Sequence, residues 1–163
     1  MIRALIFTLL AGLGAPAFAL TCLPHDVARS FNEAARAEEA YIVVLGVLDF
    51  DASALPKVDM SRQQEVPPDT LIPARITGKA LSHDGFVTDF DRAITLNAQC
   101  FGPWCAGALP GTDYLAFLEK RADGYRLTIN PCGGFGFPNP SPETLEQVRQ
   151  CFDGGPCEPA PLR

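Results

Sequence analysis

Residues 40–50 read AYIVVLGVLDF, a run of aliphatic, β-branched and aromatic side chains bounded by Asp49 and Asp51. This composition predicts a β-strand. Apolar side chains occupy both faces of the run, so we expect a central strand covered on both sides. Gly46 lies in its middle. A glycine inside a strand favours a bulge or a sharp bend, the device that curls a sheet into a barrel.

The chain that follows predicts four further strands. Residues 51–69 are polar, contain three prolines and form a long excursion before the second strand. Turn sequences at His83-Asp84-Gly85 and Ala122-Asp123-Gly124 then separate two pairs of strands. The strands are expected at 71–81, 86–99, 113–121 and 125–130.

Two short helices flank the strands. The first has an apolar stripe at spacing i, i+4, i+7 and i+8, and Asp26 before it is better interpreted as an N-cap than as half of an acid/base pair with His25. The second begins at Ser141-Pro142-Glu143, an N-cap serine, a first-turn proline and an acid near the positive end of the dipole. The stripes consist of Val27, Phe31, Ala34 and Ala35 in the first helix, and Leu145, Val148 and Phe152 in the second.

These elements predict a mainly β protein. Five strands with an N-terminal and a C-terminal helix in one small domain favour a five-stranded OB-type Greek-key barrel, stapled by disulfides. We expect the domain to occupy residues 20–157 and residues 158–163, with prolines at 159 and 161, to form a disordered tail.

The first nineteen residues predict export. Arg3 precedes the apolar run 4–13, and the small-residue site Ala17-Phe18-Ala19 follows a Gly/Pro break. This is the layout of a secretory signal peptide, and the run is too short to span a bilayer. Cleavage after Ala19 leaves a mature chain that begins at Leu20, without stable membrane insertion, in the periplasm or the extracellular space.

The charge of the mature chain argues against anionic partners. Removing Arg3 leaves 12 basic residues against 19 acidic ones, a net charge of −7. No basic stripe offsets that balance, which opposes phosphate backbones and anionic membrane surfaces. We therefore expect a protein partner and no nucleic acid.

All six cysteines follow the predicted cleavage site, and an even number in an exported chain indicates structural disulfides. Six cysteines allow fifteen pairings. The spacing contains no Cys-x-x-Cys pair, and the two histidines lie far apart, so no metal site is expected. Residues 100–105, CFGPWC, superficially resemble a thioredoxin-type loop but have four intervening residues and no following helix pattern, which favours a structural bridge. The cysteines are Cys22, Cys100, Cys105, Cys132, Cys151 and Cys157.

Other candidate residues are better explained by structure than by chemistry. Asp84, Asp89 and Asp91 do not have the spacing of a calcium loop. Residues 133–137, GGFGF, lack the P-loop lysine and the dinucleotide spacing, so they predict a tight path with two phenylalanines in the core. The single tryptophan, Trp104, is expected to be buried. If it were exposed on its short loop, it would be a natural binding anchor.

The order of these motifs resembles the netrin-like domain superfamily, which includes the tissue inhibitors of metalloproteinases and their bacterial secreted relatives. The resemblance covers about residues 22–152 and rests on an N-terminal Cys-x-Pro, a short helix, a glycine-containing strand and two later segments. The quoted stretches are Cys22-Leu23-Pro24, Val44-Leu45-Gly46-Val47, Cys105-Ala-Gly107, residues 111–117 (GTDYLAF) and residues 127–132 (LTINPC).

The resemblance implies the OB-type barrel and a bond between Cys22 and Cys132, since family members join the segment before the first helix to the end of the last strand. A loop of about a hundred residues closed in this way would stabilise the fold by about 4 to 5 kcal/mol, against about 2 to 3 for a loop of a few residues. Pairs Cys100–Cys105 and Cys151–Cys157 would then remain, and a crossed pairing of those four stays open.

Three functions follow from these observations. The first is a non-catalytic protein-binding module with no cofactor or metal, whose candidate binding edge contains Leu20, Thr21 and Trp104. The second is a metalloprotease inhibitor. Inhibitors of the animal type chelate zinc through an N-terminal cysteine, whereas the terminus expected here is Leu20, two residues before Cys22. The third is an exported thiol–disulfide oxidoreductase that uses Cys100 and Cys105.

Overall fold

The computed structural model describes residues 20–161, and the predicted signal peptide, residues 1–19, lies outside the described residues. The described chain is mainly β, with two α-helices and three disulfides. None of its helices combines the length and the apolar character needed to cross a membrane. The predicted disordered tail stays a prediction. At its start, the backbone amide of Ala160 donates to the Asp26 carboxylate at 3.1 Å.

Both predicted helices are confirmed, together with their N-caps. Helix α1 spans Val27–Arg36, and the Asp26 carboxylate accepts from the Arg29 amide at 2.9 Å. Helix α2 spans Pro142–Phe152, and the Ser141 hydroxyl accepts from the Thr144 amide at 3.2 Å. Each cap satisfies an amide that the first turn of a helix leaves without an intrahelical partner.

The five predicted strands are present, and three short strands accompany them. The long strands are β1 Tyr41–Phe50, β2 Asp69–Ser82, β3 Gly85–Phe101, β5 Thr112–Arg121 and β6 Gly124–Asn130. The short ones are β4 Trp104–Cys105, β7 Gly133–Gly134 and β8 Gly136–Pro138. The excursion after β1 contains two 3-10 helices, Ala52–Ala54 and Met60–Glu65.

The strands pair in the order β4-β3-β2-β1-β5-β6-β7, with every neighbour antiparallel and β8 paired to β5. Strand β3 also pairs with β6 in parallel, from Thr95 opposite Arg126 to Ala98 opposite Ile129. This pairing joins two strands that lie on opposite sides of β1 in the strand order.

The core has two parts, one on each face of β1 and β5. One face meets the other long strands, and the opposite face packs against the helices. Strand β5 is buried on both faces from Tyr114 to Glu119. The expectation that β1 is covered on both sides is wrong for its second half, where Val47 and Asp49 are exposed on the helix-facing side. The first part includes Val44, Leu48, Ile76, Leu96, Leu118 and Leu127, and the second includes Val27, Val43, Leu115, Phe117, Phe137 and Val148. Phe137 and Phe135 fill the core as predicted.

The bulge, the first of the two alternatives predicted at Gly46, is wrong, and the alternative of a sharp bend stays a prediction. The β1–β2 register runs unbroken from Val44 to Phe50 and places Gly46 opposite Gly78. A Cβ atom on Gly78 would lie 2.1 Å from the Leu45 carbonyl oxygen, and one on Gly46 would lie 2.6 Å from the Thr77 carbonyl oxygen. The two glycines therefore permit a close approach of two backbones, and the register shift lies between β2 and β3, at Ala80 and Leu81.

Candidate protein-binding edge

The N-terminal segment is fixed to the end of the sheet by a disulfide and by His25. Cys22 is bonded to Cys132, with 5.3 Å between the Cα atoms. The His25 ring stacks on Phe137 with 3.8 Å between centroids, and its Nε2 atom lies 3.0 Å from the Gly134 carbonyl oxygen. The chain before α1 therefore follows a defined path, although it lacks regular secondary structure.

A glycine makes room for the His25 ring. Gly133 has φ of 109°, and a Cβ atom there would lie 2.4 Å from the ring. Positive φ and the absence of a side chain are both properties of glycine. The glycine-rich run therefore serves to seat the N-terminal segment.

The second part of the site is the β3–β4 hairpin. Cys100 and Cys105 are bonded to each other and lie directly opposite in the register, and the next pair outward is Phe101 opposite Trp104. Gly102, with φ of 61°, begins the turn between them. The two-residue strand β4 has few ladder hydrogen bonds, and the disulfide adds a covalent constraint to this hairpin.

The two parts are adjacent. A cavity of about 230 Å³ has His25, Cys105, Tyr114 and Asn130 among its lining residues. Asn130 also lines a neighbouring cavity with Thr21 and Cys132. We call residues 20–25, 99–105 and 130–134 together the disulfide edge.

The disulfide edge has no ionised side chain at neutral pH. Its segments at 99–105 and 130–134 lie within two longer stretches, 93–112 and 127–142, that contain no Asp, Glu, Lys or Arg. Residues 20–25 contain only His25 as a titratable side chain apart from the bonded Cys22. The pKa of His25 is lowered because burial disfavours the imidazolium, against the opposing effects of the Gly134 carbonyl and Asp26.

Exposed apolar side chains mark the same edge. Trp104 is 39% exposed, so the expectation of a buried tryptophan is wrong and the alternative of an exposed aromatic on a rigid loop holds. Phe101, its neighbour across the hairpin, is 41% exposed, and Leu23 beside the first disulfide is 53% exposed. Phe101 and Leu23 were not predicted from the sequence. The uncharged stretch 93–112 indicates an apolar surface around Phe101 but does not show which of its side chains is exposed.

The two other predicted edge residues lie at the start of the described chain. Thr21 is exposed and lines the cavity beside Cys132, whereas Leu20 is half-buried. The structure therefore brings Thr21 to the edge that contains Trp104, through the shared neighbour Asn130. Leu20 belongs to the edge as the residue that precedes Thr21 in the chain.

The third disulfide lies elsewhere. Cys151 in α2 is bonded to Cys157, and the Asn32 side chain in α1 donates to the Cys157 carbonyl at 2.8 Å. The disulfide therefore fastens the chain after α2 to α2 itself, and the hydrogen bond fastens it to α1. The bond Cys22–Cys132 is the one that the resemblance implies. The other four cysteines form the two local pairs and not the crossed pairing, and no cysteine is free in residues 20–161.

The residues weighed for chemistry have structural partners. Asp26 caps α1, Asp89 pairs with Lys79, and Asp91 accepts from Arg75 at 2.7 Å. Across residues 20–161, no three His, Cys, Asp or Glu side chains are placed to hold a metal ion. Burial raises the pKa of Tyr114, whose hydroxyl accepts from the Leu109 amide at 3.3 Å.

Comparisons with protein-family models, with curated proteins and with solved structures find no match for this chain.

Proposed function

We propose that the protein is an exported, non-catalytic module that binds another protein through the disulfide edge. The observation that carries this proposal is the pair Phe101 and Trp104, exposed side by side on a hairpin closed by a disulfide. Aromatic side chains of this kind dominate the energetics of protein interfaces.

The covalent support of the edge favours tight binding. A flexible loop loses conformational freedom when it binds, and that loss subtracts from the affinity. The bonds Cys100–Cys105 and Cys22–Cys132 restrict this freedom before any partner arrives. Depletion of charged residues is also typical of the centre of an interface.

The fold proposed for this module is the netrin-like OB-type barrel. Two observations support it: the parallel pairing of β3 with β6, and the bond from the segment before α1 to the end of β6. Three disulfides in a chain of this size are typical of an oxidising compartment, which supports export.

The burial of Cys100 favours binding over redox catalysis. A catalytic thiol needs an accessible thiolate, whereas Cys100 is only 4% exposed. The metalloprotease inhibitor remains a narrower form of the same proposal. It requires a mature chain that begins at Cys22, and N-terminal sequencing of the exported protein distinguishes this from a start at Leu20.

Site-specific crosslinking in the native cells tests the binding proposal. A photo-crosslinking phenylalanine analogue is placed at Trp104, at Leu23 and, as a control, at Val87, which is 54% exposed on β3 away from the edge. We expect a discrete adduct of the same size from positions 104 and 23 and none from position 87.

Competition provides the matched control. Excess purified wild-type protein should suppress the adduct, and the Phe101→Ser/Trp104→Ala variant should not, provided that its circular dichroism spectrum is native. Adducts that form equally well from position 87, or no adduct from either edge position, would refute the proposal.

A further inference from the structure

A second surface feature lies where both helices meet the sheet. It is a groove of about 480 Å³ between α1, the start of β1, the end of β2 and the end of α2. None of its lining residues belongs to the disulfide edge. We call it the helix groove, and the inference below does not depend on the proposed function.

Aromatic side chains and alanines make up most of the lining of the helix groove. Phe31, Tyr41, Phe117 and Phe152 line it, and the Phe31 and Phe117 rings meet edge to face with 6.4 Å between centroids. Phe117 is fully buried, so this part of the lining belongs to the core. Five alanines leave the space open where larger side chains would fill it: Ala34, Ala35, Ala37, Ala40 and Ala80.

The helix groove is lined by negative charge and by no positive charge. Glu39 is the only charged residue among those that line it, and no Lys or Arg does so. Within residues 20–161, the Glu39 carboxylate makes no ion pair within 4 Å, as the salt bridges of the described chain involve other residues. The lining of the helix groove therefore carries one carboxylate, on an exposed residue, and no cationic side chain.

The environment of Tyr41 agrees with this charge. Its pKa is raised mainly by burial and further by the carboxylates of Glu119, Glu39 and Glu33, while Arg121 acts in the opposite direction. Arg121 pairs with Glu119 and also attracts Glu39, so a single guanidinium near Tyr41 opposes three carboxylates. The same carboxylates that disfavour the ionised form of Tyr41 would repel an anion bound in the groove.

We propose that the helix groove binds a small amphipathic organic cation, an ammonium group on an alkyl or aryl body. The volume lies in the range of about 300–1,000 Å³ that is typical of small-molecule sites. The aromatic rings accommodate the apolar body and attract a cation through their electron-rich faces. The Glu39 carboxylate supplies the complementary charge and disfavours a fatty acid of the same length.

Titration with three matched probes tests this assignment. Octyltrimethylammonium, octanol and octanoate share the alkyl chain and differ in the charge of the head group. In ¹⁵N NMR titrations, we expect saturable binding of octyltrimethylammonium with shifts centred on Phe31, Tyr41 and Leu81. Octanoate should bind at least about tenfold more weakly, a difference of about 1.4 kcal/mol, with octanol between them.

Two variants locate the binding. Ala35→Trp fills the groove from an exposed position of α1 and should abolish binding, whereas Ala54→Trp, exposed in a 3-10 helix outside the groove, should not. Glu39→Gln should remove most of the preference for the cation over octanoate, and Glu38→Gln, at a neighbouring position outside the lining, should preserve it. Circular dichroism melting curves verify that each variant folds.

Two outcomes would overturn the proposal. Equal affinity for the cation and for octanoate in the wild-type protein would show that charge does not select the ligand. Shifts scattered over the surface, or binding unaffected by Ala35→Trp in a folded variant, would show that the groove is not the site. The wild-type measurement decides the first point whether or not the variants fold.

Discussion

The disulfide edge and the β2–β3 hairpin are two exposed regions that are ordered by different means. In the hairpin, the strands pair from Asp69 opposite Gln99 to Ser82 opposite Gly85. Ion pairs follow its outer face, with Arg75 2.7 Å from Asp91 and Lys79 beside Asp89. We call its outer part, residues 75–91, the charged hairpin. The disulfide edge consists of the ends of β3 and β6, two strands of two residues and the segment before α1, with no ionised side chain at neutral pH and two covalent bonds.

The difference shows what each region can expose. In a long ladder, the two strands satisfy each other's backbone hydrogen bonds. Its solvent-facing side can therefore carry charged side chains. The short strands in the disulfide edge make few ladder hydrogen bonds. The disulfides hold these segments in place, so their apolar side chains can be exposed and do not have to pack into a core. The covalent bonds therefore make an exposed Phe101 and Trp104 compatible with a defined structure.

Removing the long disulfide has the largest expected effect on this comparison. Cys22→Ser with Cys132→Ser opens a loop with a sequence separation of 110 residues and should lower the free energy of unfolding by about 4–5 kcal/mol. Cys151→Ser with Cys157→Ser, a separation of 6 residues, should lower it by about 2–3 kcal/mol. Urea denaturation of both variants measures the difference, and equal losses would contradict the chain-entropy explanation.

A methyl group at Gly78 tests the base of the charged hairpin. Its Cβ atom would contact backbone atoms of Leu45 and Gly46 at 2.1 and 2.4 Å, so Gly78→Ala should destabilise the fold by about 1–3 kcal/mol. Gly107→Ala is the matched control, because no atom lies within 4 Å of its Cβ position. Thermal melting compares the two, and a tolerated Gly78→Ala would contradict the close approach of β1 and β2.

Acid should destabilise the two regions in different pH ranges. We expect this to be the smallest of the three effects on stability. The pKa of His25 is lower in the folded protein than in the unfolded chain. Its contribution to the free energy of unfolding is therefore complete above about pH 6.5, the pKa of the unfolded chain, and is lost as the pH falls toward the pKa of the folded protein. The pKa of Asp91 is lowered by the Arg75 and Thr77 side chains, so its contribution is complete above about pH 4 and is lost below.

Amide chemical shifts followed from pH 7 to pH 2 measure this order. Residues near His25 should change first, and residues around Asp91 should change only at lower pH. His25→Gln should remove the first step and leave the second in place. A single transition that involves both regions together would contradict the separation.

Much of the fold could be predicted from local sequence. The helices carry their caps next to their apolar stripes, and the five long strands carry β-branched runs separated by turn residues. The two-residue strands could not be predicted, because periodicity needs more than two residues and Gly133–Gly134 has no side chain to show it. The role of Gly46 depended on Gly78, about thirty residues away, and only the register brings them together.

The candidate site was predicted in part. Trp104 was singled out, but its exposure depends on how β4 folds back on β3, which the sequence of one short loop does not determine. Phe101 and Leu23 were missed because single apolar residues carry no local signal. The helix groove was not predicted either, since the residues that line it come from five elements, and β2, β5 and α2 are distant in sequence from α1 and β1.

The central claim is that the disulfide edge owes its order to its covalent bonds and the charged hairpin to its hydrogen-bonded ladder. Hydrogen exchange of the oxidised protein, followed by mass spectrometry as reductant is titrated in, tests this most directly. We predict that residues 20–25, 101–105 and 131–134 lose protection in an early step, while residues 75–91 stay protected until a later one. Simultaneous loss in both regions, or earlier loss in the hairpin, would contradict the claim.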